Sequence, residues 1–144
     1  MAARPGGKGA GGARAFFGSL RDDLIQRACK EITLAERDET GASTRDHLQS
    51  HYRQTGRLDP LLDVPAVPSC MRALWEAYCS LVALRRSGMG VHPLTWTDIQ
   101  AWAVMTGQQL DPWEVETLLL VEASAMKTHN ELAAKRAAST ARKR

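Results

Sequence analysis

At 144 residues, 44% of them hydrophobic, the chain can bury one modest core and leaves little room for a second domain. No apolar run approaches the roughly 18 residues of a membrane span, and MAARPGGKGAGGARAFFGSL has basic charge without the apolar centre of a secretory signal. The net charge of +3 comes from acid-free ends, 1–14 and 135–144, whereas 15–134 carries 11 basic against 16 acidic residues, a balance that argues against a nucleic-acid-binding core.

Residues 1–14, mostly Gly, Ala, Arg and Pro, predict a disordered tail with too little apolar surface to offset chain entropy. A first helix is expected from about Phe16 to Glu36, where Leu20, Leu24, Ile25, Ala28, Ile32 and Ala35 recur at three- and four-residue steps. Gly41 breaks it. Ser43 with Asp46 three residues on forms a capping signal for a second helix through Tyr52, closed by Gly56. These elements make an N-terminal helical arm, 15–56.

Residues 57–68 (RLDPLLDVPAVP) hold three prolines and predict a stiff, extended linker, which Leu61, Leu62, Val64 and Val67 can pin against a core. A C-terminal helical module, 69–134, follows. Its first helix starts near Ser69, with Met71, Leu74, Trp75, Tyr78, Val82 and Arg85 on one face and Gly88 and Gly90 as the stop. Thr95 and Asp98 form a second capping box, with Leu94 as a staple on Ile99, and Gly107 ends that helix. Asp111-Pro112-Trp113-Glu114 opens the last helix, with a carboxylate at the cap, Pro at the first helical position and Glu at the third. It runs through Met126 towards Ala137, and the ending AAKRAASTARKR reads as a fraying helix passing into a solvated basic tail, 135–144. The fold class is all-α, about five helices, with an antiparallel hairpin of the last two braced by the third.

Groups able to carry covalent chemistry are scarce, and no catalytic residue, metal site or cofactor is assigned. His47 and His51 are four apart on a helix, but their frame lacks the Glu of the zinc-protease motif and a third ligand, so they read as structural or surface histidines. Ser69, Cys70 and Ser80 lack a positioned histidine. Asp22-Asp23 and Asp38-Glu39 are adjacent pairs whose side chains point apart. Gly6, Gly7, Gly11 and Gly12 make no phosphate loop. Cys29, Cys70 and Cys79, an odd count without CxxC spacing, read as reduced, partly buried thiols of a cytoplasmic protein.

Tryptophan is the positive signal. Trp75, Trp96, Trp102 and Trp113 are all four of the chain's tryptophans, in a chain with only 6% aromatics. Trp96 with Ile99 and Ala103, and Trp113 with Thr117, Leu120 and Val121, lie on plausible inward faces. At 3.6 residues per turn, Trp102 cannot share a stripe with Trp96. At least one ring is therefore expected at the surface, where Met89, Met105 and Met126 fit the adaptable lining of a peptide-binding face. Trp102 reads as contact and Trp113 as mainly structural.

Leu74-Trp75, Arg86-Ser87-Gly88-Met89-Gly90, Ile99 to Trp102, Thr106-Gly107, and Leu110 with Pro112-Trp113-Glu114 form a pattern. It resembles the small tail assembly chaperones of long-tailed bacteriophages and prophages over residues 44–126, most specifically 74–122. One departure is Tyr78-Cys79, where such relatives tend to have a denser aromatic cluster.

The resemblance implies a non-enzymatic assembly factor of the host cytoplasm, absent from the mature virion. It would bind the tape measure protein and keep it soluble until the tail tube polymerises. The tail tube protein and further copies of the chain are additional implied partners; no small-molecule substrate, membrane or nucleic acid is expected. The candidate partner-binding residues on this reading are Trp75, Tyr78, Met89, Trp96, Trp102, Met105 and Trp113. The alternative is a small DNA-associated phage regulator with 95–106 and 112–126 as a helix-turn-helix. Against it, residues 112–126 carry Glu114, Glu116 and Glu122 and no base.

Overall fold

A computed structural model describes residues 10–85 and 91–142. Among them are five α-helices: α1 (Ala10–Ala35), α2 (Thr44–Thr55), α3 (Arg72–Ala83), α4 (Trp96–Thr106) and α5 (Pro112–Arg142), with a 3-10 turn at Ser69–Met71 leading into α3. The all-α expectation holds. α1 starts at Ala10, ahead of the start expected near Phe16 and inside the glycine-rich 1–14, while residues 1–9 lie outside those described. Extending an existing helix adds one hydrogen bond per residue fixed, without the cost of a new nucleus.

The capping signals act as written. Ser43 and Asp46 exchange side-chain-to-backbone hydrogen bonds at the start of α2, and Thr95 and Asp98 do the same at α4. Gly56 and Gly107 close these helices at φ of 70° and 68°, a left-handed backbone that costs glycine nothing. At α5 the reach-back half of the box is present, the Asp111 N–H donating to Glu114 Oε2 at 2.8 Å.

Helix packing departs from the expected hairpin. Among the described residues the most extensive helix contact is α1 along α5, and the two helices run parallel. Phe17 packs against Trp113, the rings tilted at 45° with their centroids 5.4 Å apart. Arg21 Nε donates to Thr117 Oγ1 at 3.1 Å. Glu36 Oε1 lies 2.8 Å from Arg136 Nε, as an ion pair without hydrogen-bond geometry. Between these pairs Leu20, Leu24 and Ala28 of α1 join Leu118, Val121 and Ala125 of α5 in one cluster with Leu74, Tyr78 and Leu81 of α3. Arm and module thus share a single core. A hairpin of α4 and α5 would leave the apolar stripe of α1 in water, and burying that stripe on the longest helix available is the larger gain.

The proline-rich segment is tied to α1 through its backbone. Lys30 Nζ donates to the carbonyls of Pro60 and Asp63 at 2.9 and 2.6 Å, and Arg27 Nη1 to that of Pro65 at 2.7 Å. Leu61, Leu62, Val64 and Val67 are half-buried, and Val67 packs on the core cluster. α2 buries no residue and folds back on α1 through Arg45 and Glu31, 2.5 Å apart. All three cysteines are free; Cys29 is half-buried, while Cys70 and Cys79 are exposed, contrary to the expectation of partial burial.

Candidate partner-binding surface

α4 is an apolar helix that leaves most of its apolar surface uncovered. Seven of its residues are apolar, yet only Ile99 is buried. Ile99 and Leu94 dock the helix on the core as the expected staple, at 2% and 8% exposure. Beyond them Val104 is 73% exposed and Met105 85%. Trp96, expected on the inward face, is 63% exposed. Helical side chains tilt towards the N-terminus, so a ring at the first helical position projects past the end of α4 with no preceding turn to cover it.

Between α4 and the end of α3 runs an open groove of about 420 Å³, with Leu81, Leu84, Leu94, Ala101, Trp102 and Met105 among its walls. Trp102 is half-buried against the core cluster, and its Nε1–H donates to Ser80 Oγ at 3.1 Å, tying α4 to α3. Leu84, on the opposite wall, is 70% exposed. Asp98, at the rim, accepts from the Thr95 N–H and hydroxyl at 2.8 and 2.6 Å. Arg85, also in the wall, is paired with Glu122.

Glu122, on α5, is the residue that sequence reasoning missed. It is 2% exposed and accepts from three separate places. The Tyr78 hydroxyl donates to Oε2 at 3.2 Å, Arg85 Nη2 donates to the same oxygen, and the Leu94 N–H donates to Oε1 at 3.0 Å. Burial pushes the Tyr78 hydroxyl well above its ordinary range, and the negative charge of Glu122 pushes the same way, so the phenol keeps its proton and donates. A signal existed: Arg85 and Glu122 each interrupt an apolar stripe, with opposite sign. Two such charges on apolar faces imply a buried pair.

The seven residues singled out by sequence do not form one patch. Trp102 and Met105 line the groove, and Trp96 sits on the other side of α4 beside Ile99, Ala103, Leu110 and Val115. Tyr78 belongs to the core at 6% exposure, its hydroxyl spent on Glu122, so it is not presented to a partner. Trp75 is half-buried on the α1 side, 5.6 Å from Tyr78 and with the Arg27 guanidinium 5.4 Å from its ring centroid. Trp113 is half-buried against Phe17. Leu120, expected inward, is 43% exposed. Met89 lies outside the described residues. His47 Nε2 is 2.6 Å from Asp38 Oδ2 at the surface, and no cluster of metal-ligating side chains occurs among the described residues.

A family model described as phage tail assembly chaperone matches residues 51–127, more than half of the chain. The chain belongs to that family. No curated protein and no solved structure gives a match. The part of this tail assembly chaperone that matches takes in α3, α4, the groove between them and Glu122. α1, which covers α5 and completes the core, lies before it.

Proposed function

We propose that this chaperone binds the tape measure protein of its phage through the α3/α4 groove and keeps it assembly-competent until the tail tube forms around it. The observation that carries the reading is α4, seven apolar residues of which only Ile99 is buried. A helix of that composition left in water is a liability unless a partner covers it. The charged groups at the groove, Arg85 and Asp98, are already engaged within the chain, which favours an occupant that contributes apolar side chains rather than a matching charge. A long, unassembled helical protein with apolar stripes offers such side chains and aggregates without cover. The role is binding, without catalysis, in the host cytoplasm, and the chaperone leaves before the virion is complete.

Co-expression with the tape measure protein of the same phage tests this. The expected result is co-purification and a larger soluble fraction of the tape measure protein, with binding that survives 0.5 M salt because apolar contact is not screened (about 0.5 M leaves a Debye length of only a few Å). Failure to co-purify, together with an unchanged soluble fraction, overturns the reading. The regulator alternative gains no support, since α5 is packed along α1 through Leu118, Val121 and Ala125, where a recognition helix would face a groove of DNA.

A further inference from the structure

We infer that Glu122 is a positioning residue for the α3/α4 groove, setting the separation of its two walls without touching the partner. The inference rests on the groove being the binding surface. The carboxylate divides its two oxygens between the two sides. Oε2 takes Tyr78 and Arg85, which belong to α3 and the residues just after it. Oε1 takes the backbone N–H of Leu94, next to the cap of α4. Arg85 and Leu94 are both wall residues of the groove. One rigid group on α5, 2% exposed, therefore holds both walls from below.

Stability alone gives little reason for this choice. Burying a carboxylate carries a desolvation cost, and a well-packed apolar residue of similar volume commonly serves a core as well or better. What an apolar residue cannot do is accept hydrogen bonds on two opposite sides at fixed separation. An amide cannot either, because Gln offers one accepting oxygen and turns N–H donors on the other side. In Glu122→Gln the one accepting oxygen goes to the charged Arg85 guanidinium and the Tyr78 hydroxyl, the stronger set of donors, so the amide NH2 is turned on the Leu94 N–H. One wall is released while the space is still filled.

The test uses the full chain, with amide hydrogen exchange and affinity for the tape measure protein measured on wild type and Glu122→Gln under conditions where circular dichroism shows both fully helical. Expected are exchange at Leu94 at least tenfold faster, unchanged exchange at Leu24 and Leu118 in the α1–α5 pair, and affinity lowered at least tenfold. Acceleration across all amides alike marks a general loss of stability and overturns the inference. So does affinity within twofold of wild type, or unchanged exchange at Leu94.

If Glu122→Gln does not fold, Arg85→Lys carries the test. It keeps the charge but shortens the reach and loses the planar fork. Leu94 should stay protected while affinity falls at least fivefold, and unchanged affinity overturns the inference. A wild-type chain that does not bind the tape measure protein removes the groove reading and this inference together. Binding lost only in the variants supports it, and binding kept in them removes the role of Glu122 alone.

Discussion

Phe17 of α1 and Trp113 of α5 pack ring against ring with centroids 5.4 Å apart, and the two residues are 96 apart in the chain. Four residues further along each helix Arg21 meets Thr117, so the same offset repeats and the helices run side by side in one direction. A parallel pair cannot be joined by a short turn. The long connection here is put to use, since α2, the proline-rich segment, α3 and α4 all lie between the two partners in sequence. The α3/α4 groove is thus built in the insertion, and the α1–α5 pair is the support beneath it.

Trp113→Ala removes the ring from that pair. The indole is half-buried, so the loss should be about 2 kcal/mol, below the 3–5 typical of a fully buried tryptophan, with a melting temperature several degrees lower. Thermal denaturation followed by circular dichroism measures it. A melting temperature within one degree of wild type (a shift of roughly 0.3 kcal/mol or less) would mean the Phe17 contact adds nothing.

Trp102→Ala and Met105→Gln probe the groove. Met105 is 85% exposed, so its substitution should leave stability within about 0.5 kcal/mol of wild type and lower partner affinity severalfold. Trp102→Ala should keep the helical signal, lower the melting temperature less than Trp113→Ala, and weaken binding at least tenfold, as loss of an aromatic anchor does. An unfolded Trp102→Ala would assign that ring to the core instead.

Gly107→Ala isolates a backbone effect. A Cβ at Gly107 meets no atom within 4 Å, so the space is free, but its φ of +68° disfavours any L side chain. The expected loss is about 1 kcal/mol with no change in binding specificity. Urea denaturation decides it, and an unchanged midpoint would mean the α4 terminus rearranges without cost.

Asp38 makes the α1–α2 turn acid-sensitive. Its carboxyl is held at about 2, against an ordinary 3.8, by the Thr40 hydroxyl first and then by His47. A carboxylate with a lowered folded value contributes stability above its unfolded value and loses it as pH falls through the folded one. The contribution is therefore complete above about pH 4 and fades between pH 4 and 2. Asp38→Asn should flatten the stability profile across that window. Identical profiles from pH 4 to 2 would show that the turn does not depend on this carboxylate.

Local order was legible in the sequence because its causes are local. Ser43 with Asp46, Thr95 with Asp98, and the glycines at 56 and 107 each act within four residues, and they mark α2 and α4 where the structure has them. The apolar repeat of α1 and the Leu94–Ile99 staple were equally visible, since both are questions of which residues share a face. The spacing of the tryptophans and the helix start of Leu110 with Pro112-Trp113-Glu114 were likewise legible, because they are properties of the string itself, and they lie within the residues matched by the family.

Only the tertiary structure decided what each face meets. Sequence reasoning put Tyr78 among candidate contacts and helical register put Trp96 on an inward face, yet Tyr78 is sealed in the core by Glu122 while Trp96 stands in solvent. It also offered no way to choose the parallel α1–α5 pair over a hairpin of neighbours, because the gain from that pairing is summed over side chains about 96 residues apart. The Glu122 node is the sharpest case. Its donors come from positions 78, 85 and 94, and nothing short of the assembled core brings a carboxylate, a phenol, a guanidinium and a backbone N–H to one point. A chain's local preferences are set by the next few residues, whereas burial is set by whichever distant surface arrives to exclude water.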